Sequence, residues 1–282
     1  MGEILDTRHL KIIRTEQRCF IEIPAFSVFP ELIHGFTTRF GGVSTGDYSS
    51  FNLNFNRPDP KENVYENYRL LGQAVGVSLE DMVISYQVHD KTVMPVFSEH
   101  AGMGITKERS YRNVDGLATQ EKDLLLVTHY ADCVPLYFYD PVEKVMALSH
   151  SGWKGTLLDI GGETVAVLKE KYGCEPSNLH VAFGPHIKAC CFEVGDDVAQ
   201  PFKETFPWAE MYSTKTAKEK WLLDLEGIIS QSLMRHGVSA DHITGCKVCT
   251  RCHSDLFFSH RGSGGKTGTG AAFMMIRGHG HE

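Results

Sequence analysis

The chain has 282 residues, of which 42% are hydrophobic and 22% charged, with a formal net charge of −7. That is an ordinary balance for a water-soluble globular chain able to bury a sizeable core. The acidic surplus argues against a nucleic-acid partner, and no apolar stretch nears the roughly 18 residues of a membrane span. Taken in chain order, residues 1–17 lack an apolar run behind a basic start. Asp6 breaks the myristoylation pattern, so the chain reads as cytoplasmic. Eight cysteines in a reducing compartment then read as free thiols or ligands rather than disulfides.

Residues 19–26 and 33–40 read as strands rich in aromatic and β-branched side chains, and 41–60 as a long loop of turn residues. The helical spacing of Val64, Tyr68, Leu71 and Val75 predicts a helix over 60–76. Residues 81–96 read as a strand, a break and a second strand. The continuous apolar runs 123–130, 134–140 and 144–150 predict strands buried on both faces. A helix is expected over 154–173, a strand over 179–187, and helices over 195–206 and 221–237. Residues 255–278 read as two strands joined by a Gly-rich loop. The mixture indicates an α+β fold with mixed sheets, and no repeat or long linker divides it.

Cys246, Cys249, Cys252 and His253 resemble a metal or haem pattern. The iron–sulfur run stops short because position 256 is Leu, and structural zinc needs four well-placed ligands. These residues therefore read as free thiols, and the Cys190–Cys191 pair as core filler. "GGKTG" at 264–268 fails the phosphate-loop pattern, since His260 stands where a glycine is required and a strand follows. Arg261 and Lys266 remain able to hold a single phosphate. His89, Cys133 and His150 stand at the ends of strand-like runs. Three readings of them stay open on the residues alone: core filler, a Cys133 thiolate with His150 as its base, or the ligands of one metal.

The segments "HGFTTRFGGVS", "NLNF", "YQVH", "DGLAT", "ADCVPLYFYDP", "SHSGWKG", "FGPHIKACCFEVG" and "CTRCHSDLFFSHR" follow in this order over residues 34–261. Together they resemble the YfiH/YlmD-type laccase-domain family, once labelled polyphenol oxidoreductases and now described as purine nucleoside phosphorylases. The resemblance implies one domain over 1–282. Its expected fold is a four-layer α-β-β-α sandwich similar to the catalytic domain of cytotoxic necrotising factors. It implies His89, Cys133 and His150 as both catalytic residues and Zn²⁺ ligands, with copper as the alternative metal. Arg39, Asn52 and Arg261 become the expected substrate and phosphate contacts, and the Gly-rich "SGWKG" turn a further anion site. Gly262 stands where relatives commonly carry a second arginine, so only Arg261 is carried over. The expected partners are purine nucleosides (adenosine, inosine, guanosine, methylthioadenosine) and phosphate, with adenosine deamination as a second activity. The competing readings are a copper-dependent phenol oxidase, a cysteine hydrolase and a peptidoglycan-editing factor.

Overall fold

The apolar runs 134–140 and 145–151 pair as an antiparallel hairpin because their side chains are buried along the whole length of both strands. The computed structural model describes residues 11–15 and 18–278. Residues 1–10, where a leader would be read, and the far end of the expected 1–282 domain lie outside that range. In chain order the strands and helices are β1 (Lys11–Thr15), β2 (Arg18–Glu22), β3 (Leu32–Thr37), α1 (Lys61–Val75), β4 (Met82–Ile84), β5 (Val93–Pro95) and β6 (Gly116–Thr119). Then come β7 (Leu125–Tyr130), β8 (Val134–Asp140), β9 (Val145–Ser151), α2 (Trp153–Leu157), α3 (Ile160–Tyr172), β10 (His180–Phe183), β11 (Glu193–Gly195) and α4 (Asp196–Thr205). The remainder are β12 (Ser213–Ala217), β13 (Lys220–Leu223), α5 (Leu225–Arg235), β14 (Ile243–Thr244) and β15 (Gly270–Ile276).

Two six-stranded mixed sheets carry the fold, ordered β1-β2-β3-β15-β7-β4 and β14-β10-β8-β9-β6-β5. Strand alternation explains their stacking. Leu125, Val127, Ala271, Phe273 and Met275 face α1 and meet its Val64, Tyr68 and Leu71. The intervening Leu126, Ala272, Met274 and Ile276 join the core shared with the second sheet. Tyr137 on β8 donates to the Gly35 carbonyl on β3 at 2.8 Å, tying sheet to sheet. The far face of the second sheet is covered by α3 and α5, through Ile160, Val165, Leu168, Ile228 and Leu233. The layers are therefore α1, first sheet, second sheet, then α3 with α5, the expected α-β-β-α sandwich.

Three expectations change. The helix expected over 154–173 is broken: Asp159 adopts a left-handed conformation (φ 59) and caps α3 by accepting from Gly162 N. Residues 221–223 belong to a small third sheet, β11-β13-β12, because Asp224 caps α5 and starts it only afterwards. Residues 255–261 form turns, not a strand. Their aromatic run imitates one, but Phe257 and Phe258 are buried from turns held by hydrogen bonds of Leu256 N and Phe257 N to the His253 carbonyl, both 2.9 Å.

Candidate metal centre and cleft

Hairpin register brings two of the three expected ligands together. Pro135 pairs with His150 and Val134 with Ser151, so Cys133, one residue before β8, lies beside His150 near the end of β9. His89 comes from elsewhere. It lies in the connection from β4 in the first sheet to β5 in the second, five residues beyond the end of β4 and not at a strand edge. Its φ of 66 is left-handed, a conformation that costs a non-glycine residue about 1–3 kcal/mol unless its surroundings fix it. Asp115, fully buried just before β6, does so. Its Oδ2 accepts from Val88 N at 2.9 Å and Asp90 N at 3.1 Å, and its Oδ1 from His89 N at 3.0 Å.

The same Oδ1 accepts from His150 Nδ1 at 2.8 Å, which turns the other ring nitrogen toward the site. The ligand atoms of His89, Cys133 and His150 all lie within 4.8 Å of one another, with Cys133 Sγ 3.9 Å from His89 Nε2. Burial opposes ionisation of the Cys133 thiol, but the facing His150 and His89 outweigh it and hold the thiol down at about 6. Burial likewise disfavours charge on His150, yet the Cys133 sulfur and Asp115 carry it up to about 9. Asp115 is held below its usual range: burial resists, and His150 with the backbone amides prevails.

These residues fit a metal. Two imidazoles and a readily ionised thiol converge, and one ring is already oriented by a carboxylate, the arrangement usual for zinc-bound histidines. Space is reserved for them as well. A Cβ added to Gly152 would lie 2.8 Å from His89 Cδ2 and 3.1 Å from Cys133 Sγ. Gly152→Ala is therefore expected to displace both ligands and weaken zinc affinity by at least tenfold while the fold persists. A zinc-chelator competition titration beside a circular dichroism spectrum checks this; unchanged affinity would mean that Gly152 does not guard the site.

His89, Cys133 and His150 line a cleft of about 540 Å³. Arg57, Arg109 and Arg261 line it, with Tyr86, Trp153 and Phe192 as aromatic walls. Arg57 Nε donates to Thr269 Oγ1 at 3.1 Å and Arg109 Nε to the Ile84 carbonyl at 3.1 Å. Arg261 is fixed by its backbone N donating to Asp132 Oδ2 at 2.7 Å and by Nη1 donating to the Glu193 carbonyl at 2.9 Å. His129 also lines the cleft. Burial keeps it neutral, down at about 3, and it meets Tyr68 Oη at 2.6 Å.

Two expected contacts lie elsewhere. Arg39 is outside the cleft lining, its guanidinium spent on the Ser49 carbonyl at 3.0 and 3.1 Å and the Ser254 carbonyl at 2.7 Å. In the structure Arg39 ties two loops through these carbonyls. Asn52 is fully buried, accepts from Asn54 N at 3.2 Å and Thr269 N at 3.1 Å, and donates to Asp59 at 2.8 Å. It positions Asn54 and Thr269, which line the cleft, without lining it itself. The "SGWKG" turn opens α2, which is only five residues long, and Thr156 donates its amide and hydroxyl to the Gly152 carbonyl. The residues missed in the sequence are Asp115, Arg57 and Arg109. Asp115 stands inside the "DGLAT" segment, whereas Arg57 lies in a stretch read only as loop.

A family model described as multi-copper polyphenol oxidoreductase laccase matches residues 33–277. The chain belongs to this family. Among characterised relatives, the purine nucleoside phosphorylase YlmD of Bacillus subtilis is 35% identical over 248 residues, covering 88% of this chain and 89% of the relative. The crystal structure of YlmD from Geobacillus stearothermophilus aligns with a TM-score of 0.88 at 33% identity, covering 95% of this chain and 99% of that one. The crystal structure of Bacillus licheniformis YfiH gives a TM-score of 0.88 at 29% identity, covering 94% and 98%. The family's copper label meets here a His₂Cys set, which also suits zinc. No helix among the described residues is long and apolar enough to cross a membrane.

Proposed function

We propose that this chain is a cytoplasmic, zinc-dependent purine nucleoside phosphorylase. Its substrates on this reading are adenosine, inosine, guanosine and methylthioadenosine, and it also deaminates adenosine. One observation carries the reading: a His₂Cys set that could hold a metal lines the same cleft as three arginines and three aromatic rings. The relatives named purine nucleoside phosphorylase support the same activity. His89, Cys133 and His150 would hold the zinc, whose Lewis acidity serves the base or a water in the cleft.

The chain's own groups account for the rest. Phosphorolysis joins a phosphate oxygen to C1′ as the glycosidic bond to the purine breaks. The positive charge developing on the sugar needs no strong protein nucleophile, only a phosphate held in line and a donor for the departing base. Guanidinium forks match phosphate oxygens, so Arg261, with Arg57 and Arg109, positions the anion inside an acidic protein. Tyr86, Trp153 and Phe192 offer apolar faces to the purine and exclude water.

Arg261→Ala is expected to raise the phosphate KM roughly 30-fold, the equivalent of about 2 kcal/mol of charge-assisted hydrogen bonding. Deamination, which uses water, should change little. Arg39→Ala should lower thermal stability and leave the phosphate KM unmoved. Equal damage to both reactions by Arg261→Ala would place that residue on the nucleoside or the fold. The reading as a whole is tested by chromatography of a nucleoside panel, with and without phosphate, on protein of measured metal content. Absence of phosphate-dependent base release from every nucleoside sinks it.

A second reading has an observation of its own. Cys133, His150 and Asp115 form a thiol–imidazole–carboxylate relay, the arrangement of a cysteine hydrolase. Alkylation of Cys133 by iodoacetamide in the metal-loaded protein would favour it; protection by zinc favours the phosphorylase.

A further inference from the structure

The sequence leaves the cysteines of residues 246–252 short of a ligand set, and the fold completes one from a distant segment. The turn carrying Cys249 and Cys252 lies against Cys190 and Cys191, and all four sulfurs fall within 4.8 Å of one another. Cys252 Sγ is 3.4 Å from Cys191 Sγ and 3.7 Å from Cys190 Sγ, and the two neighbouring sulfurs are 3.7 Å apart. Four thiolates bound at roughly 2.3 Å to one tetrahedral zinc define sulfur–sulfur edges of about 3.8 Å. We infer that Cys190, Cys191, Cys249 and Cys252 form a second metal site, a tetrathiolate centre for a single Zn²⁺, distinct from His89, Cys133 and His150.

The competing readings of these cysteines account for less. Core packing explains a buried sulfur such as Cys249, but Cys190 and Cys252 are exposed and Cys191 is half-buried. The core-filler expectation for the Cys190–Cys191 pair is therefore corrected. One disulfide would join two sulfurs and leave the convergence of the other two unexplained. A polynuclear iron–sulfur cluster places bridged irons between its thiolates and spreads them farther than ligands of one ion. The C-x-x-C-H haem pattern fails too, because both of its cysteines turn toward Cys190 and Cys191.

The surroundings suit a charged sulfur centre. Lys188 N points at Cys249 Sγ from 3.5 Å, and Arg251 Nη1 at Cys191 Sγ from 3.6 Å. Four thiolates around Zn²⁺ carry a net charge of −2, and such donors are what stabilises it. Each cysteine gives up its proton on binding, so metal uptake releases the protons still held by the four thiols.

The placement also gives the ion a task. The segment bearing Cys190 and Cys191 brings Ile187 and Phe192 to the cleft, and the segment after Cys252 brings His260 and Arg261. Arg261 Nη1 reaches back to the Cys191 carbonyl at 3.3 Å. Thr250 donates to Asp132 Oδ1 at 2.6 Å, and Asp132 Oδ2 accepts from Arg261 N. An ion at the four cysteines clamps these two segments together behind one wall of the cleft.

The test uses the full chain, purified under a thiol reductant, loaded with Zn²⁺ and freed of loose metal by gel filtration. Elemental analysis is expected to give two zinc ions per chain in the unaltered protein and one in Cys252→Ser. Because Cys252→Ser could lose metal by misfolding, Cys133→Ala supplies an independent measurement. X-ray absorption at the zinc edge of that variant should find about four sulfurs at roughly 2.3 Å and no nitrogen. A zinc-free Cys133→Ala protein, or one whose remaining zinc has a nitrogen-containing shell, overturns the inference. So does a Cys191–Cys252 disulfide found by mass spectrometry in the reduced, zinc-loaded protein.

Discussion

On the proposed reading, replacing Cys133 with alanine is expected to abolish nearly all nucleoside turnover and to remove the zinc that His89 and His150 would share with it. The fold should survive. Cys133 is half-buried at a turn, while the mass of the molecule rests on the two cores either side of the first sheet. The loss is electronic. Among the three ligands only this thiolate brings a formal negative charge to a divalent ion, and the metal-free site already favours its ionised form. That favour has a consequence for pH. Between about 6 and about 9 the metal-free pair is a thiolate facing an imidazolium. Zinc must then displace one proton, from His150, so affinity should climb about tenfold per pH unit across that window. Below it the thiol is protonated as well and affinity should fall more steeply. Metal analysis, circular dichroism and proton release in weakly buffered solution check these points together. Retained turnover in zinc-free Cys133→Ala would remove the metal from the reaction altogether.

Asp115→Asn should be nearly as damaging, although it changes one atom and touches no substrate. Each carboxylate oxygen of Asp115 already accepts two hydrogen bonds, Oδ1 from His89 N and His150 Nδ1, Oδ2 from Val88 N and Asp90 N. An amide has one oxygen. Whichever way it turns, its NH₂ faces two donors, and one pair of bonds is replaced by repulsion. Either His150 loses its orientation or the left-handed turn at His89 loses its anchor. A 10–100-fold fall in zinc affinity is expected. Competition with a chelator measures it, and unaltered affinity would show that the ring and the turn are held by packing alone.

How far the sequence discloses this site depends on how local each constraint is. Cys133 and His150 can be placed from the chain alone, because a tight hairpin between two wholly apolar runs fixes which residues face each other. α1 is legible for a similar reason: Val64, Tyr68 and Leu71 repeat on one face and all three are buried. The carbonyl contacts of Arg39 are not legible in the chain because a guanidinium suits carbonyls as well as phosphates, and nothing local tells which it will meet. Asp115 escapes notice because its four donors come from segments 25 or more residues away in sequence. The cysteines at 190 and 249 are some sixty residues apart, so no spacing rule joins them. The first of the two strands expected over 255–278 fails because aromatic residues buried from turns look, in one dimension, like aromatic residues buried from a sheet.

The position of β15 bears on how the molecule is made. It lies in the middle of the first sheet, hydrogen-bonded to β3 on one side and β7 on the other, though it follows every other described strand in the chain. During synthesis the ribosome therefore releases two half-sheets, β1-β2-β3 and β7-β4, with open inner edges and no partner between them. Such edges are prone to pair with other chains. The closing contacts span some 240 residues, which makes the last step slow by the entropy of ring closure. Residues 89 to 150 leave the ribosome early, but the first sheet, which packs against the second, is completed only by residues 270–276. A nascent chain arrested before β15 would expose sticky sheet margins, and is the form most in need of a chaperone.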